Sequence, residues 1–295
     1  MARNNKPADG VKPRSGKSAL VTGASSGFGQ LIALELASRG YEVMAGVRRE
    51  EARAELMDLA LAAGVETRIH AVLLDICLEE QVHAAVEEAS DRWGRLDVLV
   101  NNAGEAVGGF VEELSLESWR RQFEVNVFGT ISMTRAALPL LRKSEGAKLI
   151  LMSSISGVIG FPGYGPYAAS KFAVEGLGES LAMELEPFGI HVVLVEPGAY
   201  GTPIWDKGFR GIQPAAESPY REMLEDVLAF SSQTAGASGD PLEVAVQVGN
   251  IVDQKSPKLR YMLPSSSRWT LAAKRLLPHR LFRRLVLSAI RRRRT

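Results

Sequence analysis

The sequence is short of several things, and each shortage closes a door. Cys77 is the only cysteine among 295 residues. No disulfide can therefore form within the chain, and a reducing cytoplasmic setting is the simplest expectation. The four histidines, His70, His83, His191 and His279, are scattered without metal-ligand spacing, so no metal site is expected. No apolar run reaches the roughly 18–20 residues of a membrane span. Net charge is only +1, which gives no case for general nucleic-acid affinity. Met1 to Lys17 is basic and polar but has no apolar core. It does not read as a secretory signal and is expected to be a flexible lead-in, residues 1–17.

What is present looks ordinary in bulk and specific in detail. Hydrophobic residues make up 46% and charged residues 23%, the make-up of a globular protein. The length suits one large α/β domain or two small ones. Ser18 to Val21 reads as a short buried strand that runs into Thr22-Gly23-Ala24-Ser25-Ser26-Gly27-Phe28-Gly29. From Gln30 the spacing of Leu31, Leu34, Leu36 and Ala37 is helical, and Gly40 ends it. Strand, glycine turn and helix together make a nucleotide-binding loop credible. Glycines let the backbone approach a pyrophosphate, and the helix N-terminus offers oriented N–H donors. The spacing is Gly-x-x-x-Gly-x-Gly, not the commoner Gly-x-Gly-x-x-Gly, and alone it could equally be a structural turn.

Tyr41 to Val47 is the next strand, followed by Arg48 and Arg49. An acid near this strand end would select NAD by binding the adenosine ribose. Two arginines there instead suit a 2′-phosphate, which favours NADP(H); the plain alternative is that both merely lie in solvent. Glu51 to Ala63 reads as a helix, and Val65 to Leu74 as a strand ending at Asp75. Leu78 to Trp93 is a helix with Val82, Ala85, Val86 and Ala89 inward. Leu96 to Val100 is a fourth strand, leading into Asn101-Asn102-Ala103-Gly104, a turn, a cofactor wall, or both. Ser115 is placed to cap a helix whose stripe is Trp119, Phe123 and Val127, continuing to about Arg142. Asn126 falls one residue off that stripe, and a buried asparagine must find partners.

The chain is organised around Ser153 to Lys171. A strand, Ala147 to Met152, delivers three serines, Ser153, Ser154 and Ser156. A helix running to Glu186 then carries Tyr167 and Lys171 four residues apart on one face. A phenol titrates near pH 10, and an ammonium close by is expected to lower that value toward the range of acid–base catalysis. A Tyr–Lys pair alone is weak evidence, since amphipathic helices with snorkelling lysines supply many. Ile190 to Val195, ending in Glu196-Pro197-Gly198 and followed by Thr202, makes a sixth strand. Six strands alternating with helices imply a parallel, doubly wound sheet with right-handed crossovers.

Taken together these residues resemble the short-chain dehydrogenase/reductase family, over roughly Ser18 to Thr202 plus a last strand near Leu259 to Leu263. The elements are Thr22-Gly23-x-x-x-Gly27-x-Gly29, Asp75, Asn101 to Gly104, Asn126, Ser154, Tyr167, Lys171, Pro197-Gly198 and Thr202, all in order. The resemblance implies an α/β fold: a single doubly wound Rossmann-like domain, residues 18–265, with a parallel sheet. A helical substrate lid (residues 203–241) and a C-terminal helical extension (residues 266–295) would complete it. It implies hydride transfer between a nicotinamide and a carbonyl/alcohol pair. Tyr167 would be the general acid or base, with Lys171 lowering its pKa and holding the nicotinamide ribose. Ser154, 13 residues before Tyr167, would hold the substrate oxygen, and Asn126 would help order a proton-relay water. Gly23, Ser25, Ser26, Gly27, Phe28 and Gly29 would hold the pyrophosphate. Asp75 would meet the adenine, Asn102, Ala103 and Gly104 the cofactor wall, and Pro197, Gly198 and Thr202 the carboxamide. Val47-Arg48 matches the members that prefer NADP. Phe161-Pro162-Gly163 and Ser170 to Gly176 look most like the branch of 17β-hydroxysteroid and retinol dehydrogenases, so an apolar alcohol or ketone is expected. A homo-oligomer is expected by the same resemblance. Epimerisation or dehydration on this fold, and a non-catalytic NADP-binding regulator, are the rival readings.

Two segments stay open at this level. Residues 203–241 carry Trp205, Phe209, Tyr220, Met223, Leu224 and Phe230. They suit either a lid over an apolar ligand or a packed helical subdomain. Residues 268–295 hold nine arginines, Lys274 and no acid, with Trp269, Leu276, Leu277, Leu281, Phe282, Leu285, Val286 and Ile290 as an apolar face. Such a helix lies on an anionic membrane or packs on its own domain or a partner subunit.

Overall fold

The computed structural model describes residues 16–204, 208, 217–236 and 239–291. Trp205 and Phe209 of the expected lid, and Arg292 to Arg294 of the tail, lie outside the described residues. Seven parallel strands form one sheet in the order β3-β2-β1-β4-β5-β6-β7. They are β1 (Ser18–Val21), β2 (Glu42–Val47), β3 (Ile69–Leu73), β4 (Val98–Asn101), β5 (Lys148–Met152), β6 (His191–Pro197) and β7 (Arg260–Leu263). The central strands β1, β2 and β4 are buried along their whole length. That is why each reads as a mainly apolar run without alternation, with a polar residue only at one end: Ser18, Glu42 or Asn101.

Helices cover both faces. On one face α1 (Gly27–Ser38) and α2 (Glu50–Ala62) pack with the later α8 (Leu242–Asp253) over Val21, Ala45, Val100 and Val193. On the other, α3 (Glu79–Trp93), α5 (Thr130–Leu141) and α6 (Gly165–Leu185) close over Leu20, Met44, Leu99, Leu149 and Leu194. Gly40, after α1, has φ +90°, the conformation that makes glycine the natural helix stop there.

Several boundaries differ from the sequence expectation for visible reasons. Strand β3 begins at Ile69, not Val65, because Glu66–Arg68 forms a 3₁₀ turn first. The helix expected from Ser115 to about Arg142 is present, with helical residues running unbroken from Leu116 to Leu141, but its hydrogen-bond register changes part-way. Ser115 does cap α4 (Leu116–Phe123), accepting from the Ser118 N–H at 3.2 Å. A widened π-helical turn, Glu124–Gly129, then separates α4 from α5. The expected stripe shifts with it: Trp119 and Phe123 are only half-buried, while Gln122 and Asn126 face inward.

Beyond β6 the chain forms α7 (Arg221–Gly236), α9 (Ser267–Leu276) and α10 (His279–Arg291). Leu224 and Val227 of α7 are buried, and Phe282, Val286 and Ile290 of α10 pack inward. Tyr220, just before α7, stacks on Phe110 with ring centroids 4.5 Å apart. The terminal helix therefore does pack on its own domain through one face. Its other face leaves Leu281 and Leu285 exposed, as are Trp269 and Leu276 of α9. Among the described residues no helix is long and apolar enough to cross a membrane, and no cluster of side chains suits a metal ion.

Candidate active site

The strand order reverses between β1 and β4, and the carboxyl ends of these strands are stitched together. The Thr22 hydroxyl accepts from the N–H groups of Asn102 and Ala103, both at 3.0 Å. Asn102 returns the tie, donating from Nδ2 to the carbonyls of Thr22 (2.9 Å) and Gly23 (3.1 Å). Asn101 points the other way and donates to Thr134 on α5 at 2.9 Å. The asparagine pair is thus a brace between loops, which also lines the cavity through Asn102. Gly23 sits at φ +66°, and a Cβ on it would stand 2.7 Å from Ala103 Cα. At Gly29 a Cβ would fall 2.3 Å from both the Gly23 carbonyl oxygen and Asn102 Nδ2. These two glycines are demanded by loop-on-loop contact.

Above this seam opens a cavity of about 720 Å³, within the range of small-molecule sites. Gly23, Ser25, Ser26, Gly27 and Phe28 line one end with Arg48 and Asp75. Asn102, Ala103 and Gly104 form the middle. Ser154, Tyr167, Lys171, Pro197 and Gly198 line the rest, and Thr202 stands beside Gly27, its Cβ 3.6 Å from where a Cβ on that glycine would lie. Among the expected site residues, Gly29, Arg49 and Asn126 are not on its wall. Gly29 acts from behind, as described. Arg49 stands at the N-cap of α2, off the wall, whereas Arg48, which is also exposed, lines it. The shape and donors suit an extended dinucleotide. α1 begins at Gly27 and Ser26 does not cap it, which leaves first-turn N–H groups for an anion. Arg48 supplies a cation at the end of β2.

Ser154, Tyr167 and Lys171 meet because β5 ends beneath the first turn of α6. Tyr167 and Lys171 are both buried on one side of that helix. The Lys171 ammonium lies 5.8 Å from the Tyr167 ring centre and donates to the Met152 carbonyl at 2.7 Å. Ser154 hydrogen-bonds to Tyr167, accepts from the Ser156 N–H at 3.1 Å and lies 3.4 Å from the Pro197 carbonyl oxygen. Of the three serines at this strand end, Ser154 is the one joined to the phenol.

The electrostatics run against the sequence expectation in one respect. Burial pushes the Tyr167 phenol up to about 12, although its bond to Ser154 pulls the other way. Burial also draws Lys171 down to about 8, opposed by the Glu175 carboxylate. In the chain alone, loss of solvent outweighs the neighbouring ammonium, because both groups are withdrawn from water together. A cationic ring in the cavity would shift the balance back toward the phenolate.

Asn126 is fully engaged. Its Oδ1 accepts from the Glu105 N–H at 2.9 Å, and its Nδ2 donates to the Glu105 carbonyl and to Ser170 Oγ, both at 3.0 Å. Ser170 in turn donates to the Tyr167 carbonyl at 2.8 Å. Asn126 therefore ties the loop after β4 to the helix of Tyr167. One residue escaped the sequence reading altogether. Gln122 is wholly buried, donating to the Glu105 carbonyl and accepting from the Val107 N–H, both at 2.7 Å. The signal was available: two amides, four apart, on the buried side of one helix.

Residues 17–212 match the profile of the family described as short chain dehydrogenase. The chain belongs to that family. Its relatives are oxidoreductases. It is 43% identical over 89% of its length to "Uncharacterized oxidoreductase YusZ" of Bacillus subtilis, covering 94% of that protein. It is 35% identical to an NADPH-dependent 3-dehydrocapnine reductase of Ornithobacterium rhinotracheale, over 89% and 93% of the two chains. Mouse 17-beta-hydroxysteroid dehydrogenase type 1 is 34% identical, over 82% of this chain and 72% of that one. Among solved structures, a short-chain dehydrogenase from Streptomyces avermitilis superposes with a TM-score of 0.75 at 35% identity, over 93% and 96% of the chains. A short-chain dehydrogenase/reductase from Burkholderia phymatum, in complex with NAD, gives 0.75 at 29% identity, over 88% and 93%. The family, the Rossmann-like parallel fold and the oxidoreductase class thus follow for this short-chain dehydrogenase.

Proposed function

We propose that this short-chain dehydrogenase is an NADP(H)-dependent oxidoreductase acting on an apolar ketone or aldehyde, or on the corresponding secondary alcohol. One observation carries the reading: Ser154 and Tyr167 are hydrogen-bonded at the wall of the cavity, with Lys171 one turn below. A nicotinamide, when bound, supplies or accepts the hydride. The protein's part is then to orient and to move a proton. Ser154 presents its hydroxyl to the substrate oxygen, and the Tyr167 hydroxyl gives its proton to that oxygen in reduction or takes one in oxidation. Lys171, held by the Met152 carbonyl, keeps positive charge beneath the phenol.

Arg48 on the cavity wall supports preference for the 2′-phosphate form, as does the NADPH-dependent relative. Gly23, Ser25, Ser26, Gly27 and Phe28 would cradle the pyrophosphate and Asp75 the adenine. Asn102, Ala103, Gly104, Pro197, Gly198 and Thr202 would complete the cofactor wall. Residues 203–241 would act as the substrate lid within a catalytic domain of residues 18–265. Apolar character is read from Ala106, Val107, Leu114 and Ile204 on the cavity wall near Tyr167. A reducing cytoplasm and a homo-oligomer complete the reading, the latter by family resemblance. The tail's partner is read as an anionic membrane surface. Its charge is all of one sign, and Trp269, Leu276, Leu281 and Leu285 stand exposed beside its arginines.

The experiment is a panel of apolar ketones and aldehydes followed by NADPH absorbance, run on the natural chain and on Tyr167→Phe. The variant should lose turnover while binding NADPH within about tenfold of the natural chain, since the hydroxyl acts mainly in the transition state. Normal turnover by Tyr167→Phe would end this assignment.

A further inference from the structure

Behind the Tyr167–Lys171 wall lies a second polar cluster. Along α6 the positions four apart are Tyr167, Lys171, Glu175 and Glu179. The first three are buried, and Glu179 reaches the surface. Arg260, at the start of β7, serves all the acids nearby. Its Nε lies 3.0 Å from Glu175 Oε2 and 3.2 Å from Glu196 Oε1, and its guanidinium end holds Glu179 at 2.6 Å. Glu196 belongs to β6, beside Pro197 of the cavity wall, and is 1% exposed. One guanidinium is thus shared among three carboxylates, two of them withdrawn from water. Glu175 Oε1 and Glu196 Oε1 have no hydrogen-bond partner among the described residues. Packing makes room for the arrangement at Gly157, where a Cβ would stand 2.6 Å from Ser153 Oγ and 3.1 Å from Glu175 Cγ.

Lys171 needs such a neighbour. Its side chain is buried, and its ammonium donates to a neutral carbonyl, that of Met152. A buried ammonium without a counter-charge gives up its proton. Resting on the reading of Lys171 given above, we infer that Glu175 is a positioning residue for Lys171, anchored by Arg260 of the last strand, whose charge keeps the lysine protonated under Tyr167. Glu175 touches neither cofactor nor substrate on this account. The charged groups facing the cluster are Lys171 and Glu179 from α6, Glu196 from β6, Arg260 from β7, and Arg275 from α9, which acts on Glu196. In support, the carboxylate of Glu175 is what opposes the burial that draws Lys171 down to about 8.

The test reads Lys171 itself. In full-length protein carrying [13Cε]lysine, the Lys171 resonance is identified as the one lost in Lys171→Arg, and its pH midpoint is followed by NMR. Glu175→Gln should lower that midpoint by about one pH unit, the scale of a charge one helical turn away at intermediate dielectric. Arg260→Met should move it upward, because Glu175 is then relieved of its competing cation. Glu184→Gln, an exposed acid on the same helix, should leave it in place. An unmoved midpoint in Glu175→Gln overturns the inference. Should Glu175→Gln not fold, the upward shift in Arg260→Met decides, and its absence overturns the inference equally. The pH profile of kcat separates this inference from the reading beneath it. A lowered NMR midpoint with an unmoved basic limb upholds Glu175 as the lysine's partner and removes Lys171 from the chemistry.

Discussion

Replacing Gln122 by methionine gives the sharpest test of how the loop after β4 is held. Methionine nearly conserves volume and helix propensity, so the substitution isolates the two hydrogen bonds from the packing. The structure says what each loss costs. The Val107 N–H donates to Gln122 Oε1 at 2.7 Å, and without that acceptor a half-buried donor on the cavity wall is left to find water, at the lower end of about 1–3 kcal/mol. The Glu105 carbonyl fares better, because Asn126 Nδ2 still donates to it at 3.0 Å. Gln122→Met alone should therefore cost roughly the price of one orphaned donor, about 1–3 kcal/mol, or a fall in Tm of about 2–6 °C for a chain of this size. Asn126→Ala orphans a different donor, the Glu105 N–H, and loses the Ser170 bond. Only in the double variant does the Glu105 carbonyl lose both donors. The double should then be less stable than the sum of the singles, by about 1 kcal/mol. Chemical denaturation of the four proteins closes the cycle. The same loop lines the cavity, so KM for the dinucleotide should rise in Gln122→Met. A Gln122→Met protein that unfolds at the natural midpoint, or singles that simply add, would refute the accounting.

Other expectations are more direct. Arg48→Ala should weaken NADPH binding more than NADH binding in fluorescence titrations, and equal losses would mean that Arg48 does not read the phosphate. The Glu196 carboxyl is pushed up to about 7 by burial and by Glu175, against the pull of Arg260 and Arg275. The folded state then binds more protons than the unfolded one between pH 4.5 and 7, so stability from this group is lost as pH rises through that window. Glu196→Gln should flatten the fall, visible as a Tm that changes less between pH 5 and pH 8 than in the natural protein. For the tail, sedimentation with vesicles rich in anionic lipid should retain the protein at low salt and release it at high salt. Leu281→Ser with Leu285→Ser should abolish retention, while a concentration-dependent dimer lost in the same variant would identify a second copy as the occupant.

Much of the fold was legible because parallel sheets bury their strands on both sides. Ala19 to Val21 and Leu149 to Met152 are continuous apolar runs, and Gly40 and Ser115 mark helix ends by local chemistry alone. The site motifs were legible for a related reason: Gly23, Gly29 and Asn102 are fixed by contacts between loops that follow strands. What escaped depended on three-dimensional phase or on desolvation. The widened turn at Glu124–Gly129 rotates the helix so that Gln122 and Asn126 face inward, and a regular 3.6-residue pattern placed Trp119 and Phe123 there instead. The early start assigned to β3 overlooked the 3₁₀ turn at Glu66–Arg68, whose residues carry no strong turn signal. The direction of the Tyr167 shift was missed because a spacing of four residues reports proximity but says nothing of how dry the pair is. The charged groups from β6 and β7 beside Glu175 were invisible for the same reason: Glu196 and Arg260 meet α6 only after the sheet is assembled.

The packing of α10 against Tyr164, Tyr167 and Val227 has a consequence for biosynthesis. A chain emerging from the ribosome could assemble β1 to β6 and house a dinucleotide with about 200 residues made. The apolar cluster around its phenol would still be incomplete, because Val286 and Ile290 of α10 lie far beyond β6 in the chain. A chain cut shortly before Ile290 would therefore keep all seven strands and still leave Tyr167 short of one of its buried apolar neighbours.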